Sequence, residues 1–585
     1  MNDTGLTREE SRNSIYPNAF LRGDRAEIYL RDPAVCTLLE FFQTKGIAKL
    51  KEEDRTEQWY DDWITFQHQH RLYADVLSPA RYSNHGNSFD LLRYSRFLEV
   101  LAYCSPAHGY SLHVTFLGLF SILMGSNDVL KRESVNAVES GNLLAFGVSE
   151  KDHGSDLLAN EFIITDQKSG NFSASGSKYY IGNSDVASII SLLGRKAYAG
   201  RVSRAPLMLF ALRPKQSQAF RSQGKIRTLG VRAANVGAFE VTNYPLTQND
   251  VIAEGRDAWD AVFGTVTLGK FFLGFGSIGI CEHALEDAFV HLQKRILYGD
   301  SAIDMTHIRS NMAQAYARLT AMKLYAFRAL DYVHSASAAD RRYLLYCAVQ
   351  KAKVSTEGVK VMALLQECIG AKGFESDTYF EMALRDIQLI PGLEGSMHIN
   401  LGVAAGFIPR YFDRPDTALA EPPSLSGGEV ASRENVYLME ARTGSTHTIA
   451  FRPYLDAYRN LMALPNASSF TNQVKNFREV IRLGKAHCSD LTDLKVVMTM
   501  GQCFATIAFG QLVAENVSRV EMPREMTAAI FHTLVEDLSA LALQLAALTQ
   551  FDDTARSRIL QMVEIPKTSA ADWHFVSQRS RGAVE

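Results

Sequence analysis

Phe146-Gly147-Val148-Ser149-Glu150-Lys151-Asp152-His153-Gly154-Ser155-Asp156 marks the point where the chain changes texture. Upstream, apolar residues recur at helical spacing, as in Leu91, Tyr94, Phe97, Leu98 and Leu101, and Leu112 to Met124 is almost wholly apolar. Downstream come short β-like runs divided by turn signals. Phe162 to Thr165, the turn Asp166 to Asn171 and Phe172 to Tyr180 predict a hairpin, and Ile189 to Leu193 and Leu207 to Leu212 predict further strands. After Ala258 the helical period returns, with Met312, Tyr316, Leu319, Ala326 and Leu330 on one stripe.

The expected fold is therefore mainly α with a central β-barrel-like domain. Residues 1–142 read as a helical domain, 143–256 as the β domain and 257–412 as a second helical domain. Residues 413–432, rich in Pro, Ser and Gly, read as a linker, and 433–585 as further helix. Leu534, Leu538, Leu541, Leu545 and Leu548 form a seam in that last part.

Composition narrows the function classes. A net charge of -3 argues against a surface that coats nucleic acid, which needs clustered Lys and Arg. No uninterrupted run of 18 apolar residues occurs, so no membrane span is expected. The polar start, Met1 to Glu10, does not read as a secretory signal. Seven scattered cysteines without a Cys-x-x-Cys pair suit reduced thiols in a cytoplasmic protein. His68-Gln69-His70 lacks a third ligand at a recognisable spacing, so no metal is expected.

Gly274-Phe275-Gly276-Ser277-Ile278-Gly279 spells G-x-G-x-x-G, but its flanks read as one helix, and a dinucleotide site needs a strand before the motif. Small residues there let helices approach closely. Gly154 permits a tight turn, and Ser149 and Ser155 offer hydroxyls beside backbone N–H groups, a setting for a polar ring edge or a phosphate; a plain turn meets the same description. Ala174 to Ser184 reads as an amphipathic strand with the aromatic pair Tyr179 and Tyr180. Arg295-Ile296-Leu297-Tyr298-Gly299 reads as a helix end with a dipole-compensating arginine, and Glu367 to Phe374 as a helix closed by a left-handed glycine. Glu394, in Arg385-Asp386-Ile387-Gln388-Leu389-Ile390-Pro391-Gly392-Leu393-Glu394-Gly395-Ser396, is either an exposed loop acid or a base.

Taken in order, these segments resemble the acyl-CoA dehydrogenase family over about residues 80 to 410. The resemblance implies a helical domain, a β domain and a four-helix domain with FAD in the cleft between the last two. It implies flavin contacts from Phe146, Val148, Ser149, Gly154 and Ser155, with Ser155 also on the substrate, and from Tyr180, Ile181 and Gly182. Tyr180 stands where the family has tryptophan, and Gly182 where it has a threonine. Arg295 and Tyr298 would hold the FAD pyrophosphate of a neighbouring subunit, because a planar, always charged guanidinium suits a diphosphate. Glu367, Gly370 and Ala371 would receive the adenosine half, and Ser396 and His398 would also touch the cofactor.

The implied reaction is α,β-desaturation of an acyl thioester, with Glu394 as base, Gly395 beside the substrate and the hydride passing to flavin N5. A dry apolar pocket would suit such a base. Lys270 occupies a position where the family has a substrate-side arginine, and Thr267 one where it has an aspartate. An acyl carrier protein is therefore expected as an alternative to CoA. The resemblance also implies a homodimer and an electron-transfer flavoprotein, or oxygen, as electron acceptor. The rival readings are an oxidase or monooxygenase on the same fold, and a DNA-binding damage-response relative, against which the weakly acidic last domain speaks.

Overall fold

A computed structural model describes residues 28–167, 170–197, 206–440 and 446–582. Helices α1 (Pro33–Thr56), α2 (Asp61–Gln69), α3 (Leu72–Leu77), α4 (Leu91–Cys104), α5 (Pro106–Leu123) and α6 (Asp128–Glu139) come first. Side chains close several helix starts: Asp90 accepts from Arg93 N–H at α4, and Asn127 from Val129 and Leu130 at α6. Helix α5 is buried on every face, which its almost unbroken apolar sequence dictates.

The β domain contains β1 (Leu144–Gly147), β2 (Ile163–Asp166), β3 (Asn171–Gly182), β4 (Ile189–Ala197), β5 (Leu207–Leu212), β6 (Phe220–Lys225), β7 (Val236–Thr247) and β8 (Val251–Glu254). They pair in the order β6-β7-β3-β2-β4-β5-β8, with β1 joining β4. The hairpin expected across 166–171 is present, Ile164 facing Ala174. Strand β4 is shared lengthwise: its start pairs parallel with β1 and its end parallel with β2.

Helix α7 (Gly255–Lys294) then runs for 40 residues, with the G-x-G-x-x-G stretch inside it. At Gly279 a side chain would meet the carbonyl of Glu99 at 2.1 Å, so the glycine sets how closely α4 approaches. Helix α8 (Thr306–His334), α9 (Tyr343–Val349), a π-helical turn (Gln350–Val354), α10 (Ser355–Ile369), α11 (Tyr379–Leu389), α12 (Met397–Ala405) and α13 (Ile408–Asp413) complete this half. After an irregular stretch and the short α14 (Tyr437–Glu440), the appended helices are α15 (Pro465–His487), α16 (Leu494–Arg519), α17 (Arg524–Ala546), α18 (Asp553–Leu560) and α19 (Ala570–Gly582).

The appendage is bolted to the preceding half by buried charges. Arg318 of α8 reaches Glu357 at 2.7 Å and Asp537 of α17 at 3.1 Å, and Lys353 of the π turn joins both acids. Nearby, Arg328 is wholly buried against Glu515 of α16 and Asp331.

Three details depart from the sequence reading. Helices α7, α16 and α17 have the length and mean hydropathy that a membrane span needs, because scattered Gly, Ser and Thr interrupt apolar runs without lowering hydropathy much. Between 67% and 83% of each apolar stretch is buried inside the protein, so neighbouring helices already cover most of it. Arg295 to Gly299 is not a helix end throughout: Arg295 caps α7, and Tyr298 and Gly299, both at positive φ, turn a two-residue hairpin. Gly370 has φ 64° and ψ -140°, a glycine conformation outside the left-handed helical region. His68 and His70 lie at the end of α2, His68 against Gly141 and His70 stacked on Phe66.

Candidate functional site

Leu393-Glu394-Gly395 forms the loop between α11 and α12. Glu394 has φ 51° and Gly395 φ 86°, so a non-glycine residue is held left-handed here, a strained state that needs support from its surroundings. Asn400 supplies part of it, donating from Nδ2 to the carbonyls of Gly395 and Ser396 at 3.0 and 3.1 Å. Ser396 precedes α12 and His398 is exposed on its first turn.

The Glu394 side chain turns inward. Its Oε1 meets His113 Nε2 of α5, while Oε2 is buried with no hydrogen-bond partner among the described residues. Opposite Oε2 lies Gly269 of α7, where a Cβ would stand 2.2 Å from that oxygen. The Glu394 backbone N–H donates to nothing among the described residues. Two buried amines share the neighbourhood. Burial pushes Lys270 down to about 8 and Lys351 down to about 7, with the Glu394 charge opposing both shifts. The surroundings of Glu394 are thus dry but not wholly apolar, as the sequence reading had them.

Lys270 lies inside the protein rather than at a surface where a carrier would dock, its Nζ 5.9 Å from the Phe263 ring centre. A cavity walled by Leu98, Gly109, Tyr110, His113, Gly276 and Leu393 opens beside the His113–Glu394 pair. Arg385 and Asp386 have other work. Arg385 pairs with Asp54 and Glu381, and Asp386 accepts from Val231 N–H at 2.6 Å, fastening α11 to the β domain.

A second cluster joins the Phe146–Asp156 loop to β3. Ser149 Oγ donates to Tyr179 O at 2.7 Å, and Tyr179 N–H donates to Ser149 O. Beneath it, Lys178 pairs with Glu150 at 2.8 Å, both buried. Strand β3 breaks register between Lys178 and Ile181; at the break Tyr180, φ 59°, points outward and is 60% exposed. Phe146 and Ile181 are buried, Val148 is half-buried, and Gly154 and Ser155 are exposed, with open space about the Gly154 Cα.

Gly182 admits no side chain, because a Cβ would meet Val114 Cγ2 at 2.6 Å and Tyr110 Cε1 at 2.8 Å. The space a threonine would need is filled by Tyr110.

The third cluster is separate. Arg295 donates from Nη1 to Ile369 O at 3.3 Å, beside Gly370 and Ala371, and Glu367 accepts from Asn311. Tyr298, Ile296 and Phe374 are exposed apolar groups around it. Lys270 and Arg295 are 25 positions apart on α7, roughly 37 Å along the axis at 1.5 Å per residue. One chain therefore cannot bring the Arg295 cluster to Glu394.

His113, Tyr110 and Lys351 escaped the sequence reading. Only His113 carried a signal, as a charged-capable residue in the otherwise apolar stretch from Leu112 to Met124.

The site thus combines a long central helix, a flanking β domain and an inward acid on the loop before α12. The family description "Acyl-CoA dehydrogenase, C-terminal domain" matches residues 257–408. Glutaryl-CoA dehydrogenase of Desulfococcus multivorans is 24% identical over 384 residues, covering 62% of this chain and 96% of that protein. Isovaleryl-CoA dehydrogenase of Pongo abelii is 21% identical, covering 60% and 82%. An acyl-CoA dehydrogenase from Bacillus anthracis, solved with FAD, superposes with a TM-score of 0.71 at 14% identity, covering 92% of this chain and 94% of that one, so the shared fold extends through the appended helices. The prolyl acyl carrier protein oxidase AnaB gives 0.56 at 19%, covering 66% and 100%. The family model over residues 257–408, the curated relatives and the structural neighbours all point to the acyl-CoA dehydrogenase family.

Proposed function

We propose that this protein is an FAD-dependent oxidoreductase that introduces an α,β double bond into an acyl thioester, with Glu394 as the base. The observation that carries the reading is Glu394 itself: an inward carboxylate, one oxygen held and the other buried and unpaired, beside a largely apolar cavity. A buried carboxylate oxygen with no donor is costly, and a Cα–H placed there gives it a use.

The second cluster fits a flavin. The register break in β3 leaves the Tyr180 backbone outside the ladder, Tyr180 offers an exposed ring, and the Gly154 turn has room above it. Ser149 has already spent its hydroxyl proton on Tyr179, so toward a ligand it serves as an acceptor. When bound, FAD supplies the acceptor for the two electrons that leave with the β hydrogen. Glu394 Oε2 takes the α proton, and the Cα–H electron pair becomes the new double bond. The unengaged N–H of Glu394 is a donor for the thioester carbonyl, on which charge grows as the proton leaves. Lys270 and Lys351 favour negative charge around Glu394.

The remote Arg295 cluster supports a homodimer in which Arg295, with its guanidinium beside Gly370, serves the cofactor of the second copy. Either CoA or an acyl carrier protein is a candidate thioester carrier. Anaerobic mixing of the yellow protein with panels of both thioesters tests the reading through loss of flavin colour. E394Q is expected to retain FAD and keep its colour; full bleaching by that variant would sink Glu394 as the base.

A further inference from the structure

Glu394 has one hydrogen-bond partner among the described residues, and it is His113. The two come from elements 281 residues apart; the His113 side chain is 3% exposed and that of Glu394 12%. The other groups facing Glu394 are engaged elsewhere or lie farther off. Lys351 Nζ donates to the carbonyl of Ile390, Lys270 faces Cys347 and the Phe263 ring, and Tyr94 and Tyr110 sense the Glu394 charge without a hydrogen bond to it.

The tautomer of His113 follows from its other nitrogen. Nδ1 is buried without a partner among the described residues. An imidazolium would bury an unpaired N–H there, whereas a neutral ring protonated on Nε2 leaves only a lone pair unsatisfied and aims its proton at Glu394. A hydrogen bond to the charged form of a carboxylate is among the stronger kinds.

We propose that His113 is the positioning residue of this site: its Nε2–H pins Glu394 Oε1, so that Oε2 alone is presented as the base. The proposal rests on Glu394 being the base. In the step it serves, the substrate Cα–H bond breaks, an O–H bond forms at Oε2, and the Nε2–H hydrogen bond at Oε1 stays in place. His113 also walls the cavity, so substrate packs against the ring that fixes the carboxylate.

The test compares H113Q with H113M, two side chains of nearly one shape, only the first of which has an N–H where Nε2 stood. The probe is methylthioacetyl-pantetheine, the arm common to CoA and carrier-protein thioesters; it has α hydrogens but sulfur in place of the β carbon. Deuterium uptake at Cα in D2O, measured by mass spectrometry on FAD-loaded protein, reports proton removal without oxidation. H113M is expected to exchange roughly ten- to a hundredfold more slowly than wild type. H113Q is expected to recover most of that rate, both variants matching wild type in FAD content and melting temperature. Equal rates for H113Q and H113M overturn the proposal, whether both are fast or both slow, and so does early melting of H113M alone with normal exchange per folded molecule. Wild-type exchange by E394Q would instead remove the base itself, leaving that failure distinguishable.

Discussion

Lys353 Nζ lies 2.7 Å from Asp537 Oδ2, joining the π-helical turn of the catalytic half to a helix of the appendage. The same aspartate takes Arg318, so one carboxylate satisfies two buried cations on different helices. D537A would leave both cations to share Glu357 alone, and removal of one member of a buried ionic cluster typically costs about 3–5 kcal/mol. A lowered denaturation midpoint with unchanged FAD content at low temperature is the expected result; a melting curve like that of wild type would refute this role.

The cluster also sets a pH dependence. Burial alone would raise the acids, but Lys353 and Arg318 outweigh it, holding Asp537 well below the usual carboxylate range and Glu357 at about 2. Both acids bind protons less readily folded than unfolded, so their contribution is complete above the ordinary carboxylate pKa of about 4. It is lost as pH falls from there toward about 2. Denaturant titrations from pH 6 down to 3 should show stability falling in wild type and a shallower fall in D537N.

Gly269 separates stability from chemistry. An alanine there meets the end of Glu394 at 2.2 Å and Leu117 Cδ2 at 2.5 Å, both movable side-chain atoms. Helix propensity favours alanine by up to ~1 kcal/mol. G269A should melt within a few degrees of wild type, yet bleach its flavin at least about tenfold more slowly, since a base displaced by an ångström loses alignment. Normal bleaching kinetics would show that Oε2 is not the working oxygen.

R295A is expected to weaken FAD retention through gel filtration, by about tenfold or more in affinity, because a guanidinium on a diphosphate makes charge-assisted, two-pronged bonds. R295K should recover only part of it, lysine lacking the fork. Tight FAD binding by R295A would place the diphosphate elsewhere.

Much of this was readable from the sequence because local chemistry spoke for it. Leu207 to Leu212 is β5 to the residue, and the polar turn after Thr165 marked the hairpin. The glycines from 274 to 279 were separable from a dinucleotide loop because their flanks kept helical period. What stayed hidden was pairing across long separations. Nothing near His113 announces Glu394, and nothing near Asp537 announces Lys353, 184 positions away. Tyr110 is a similar case. The absence of a side chain at Gly182 was visible, but not that a helix from the preceding domain had moved its ring into that space. The hairpin at Tyr298 was missed because helix and turn share the same five residues.

Helix α7 carries Lys270 in its first half, and Arg295 caps its far end. In a dimer that exchanges these ends, each reaction centre is inherited from two chains. Two variants that each fail once free FAD is removed, E394Q in chemistry and R295A in holding the cofactor, would then complement: a mixed dimer has one centre bearing both lesions and one bearing neither. Co-expression of the two, with free FAD removed, should return about half the activity per mixed dimer, a genetic signature of how far one helix reaches.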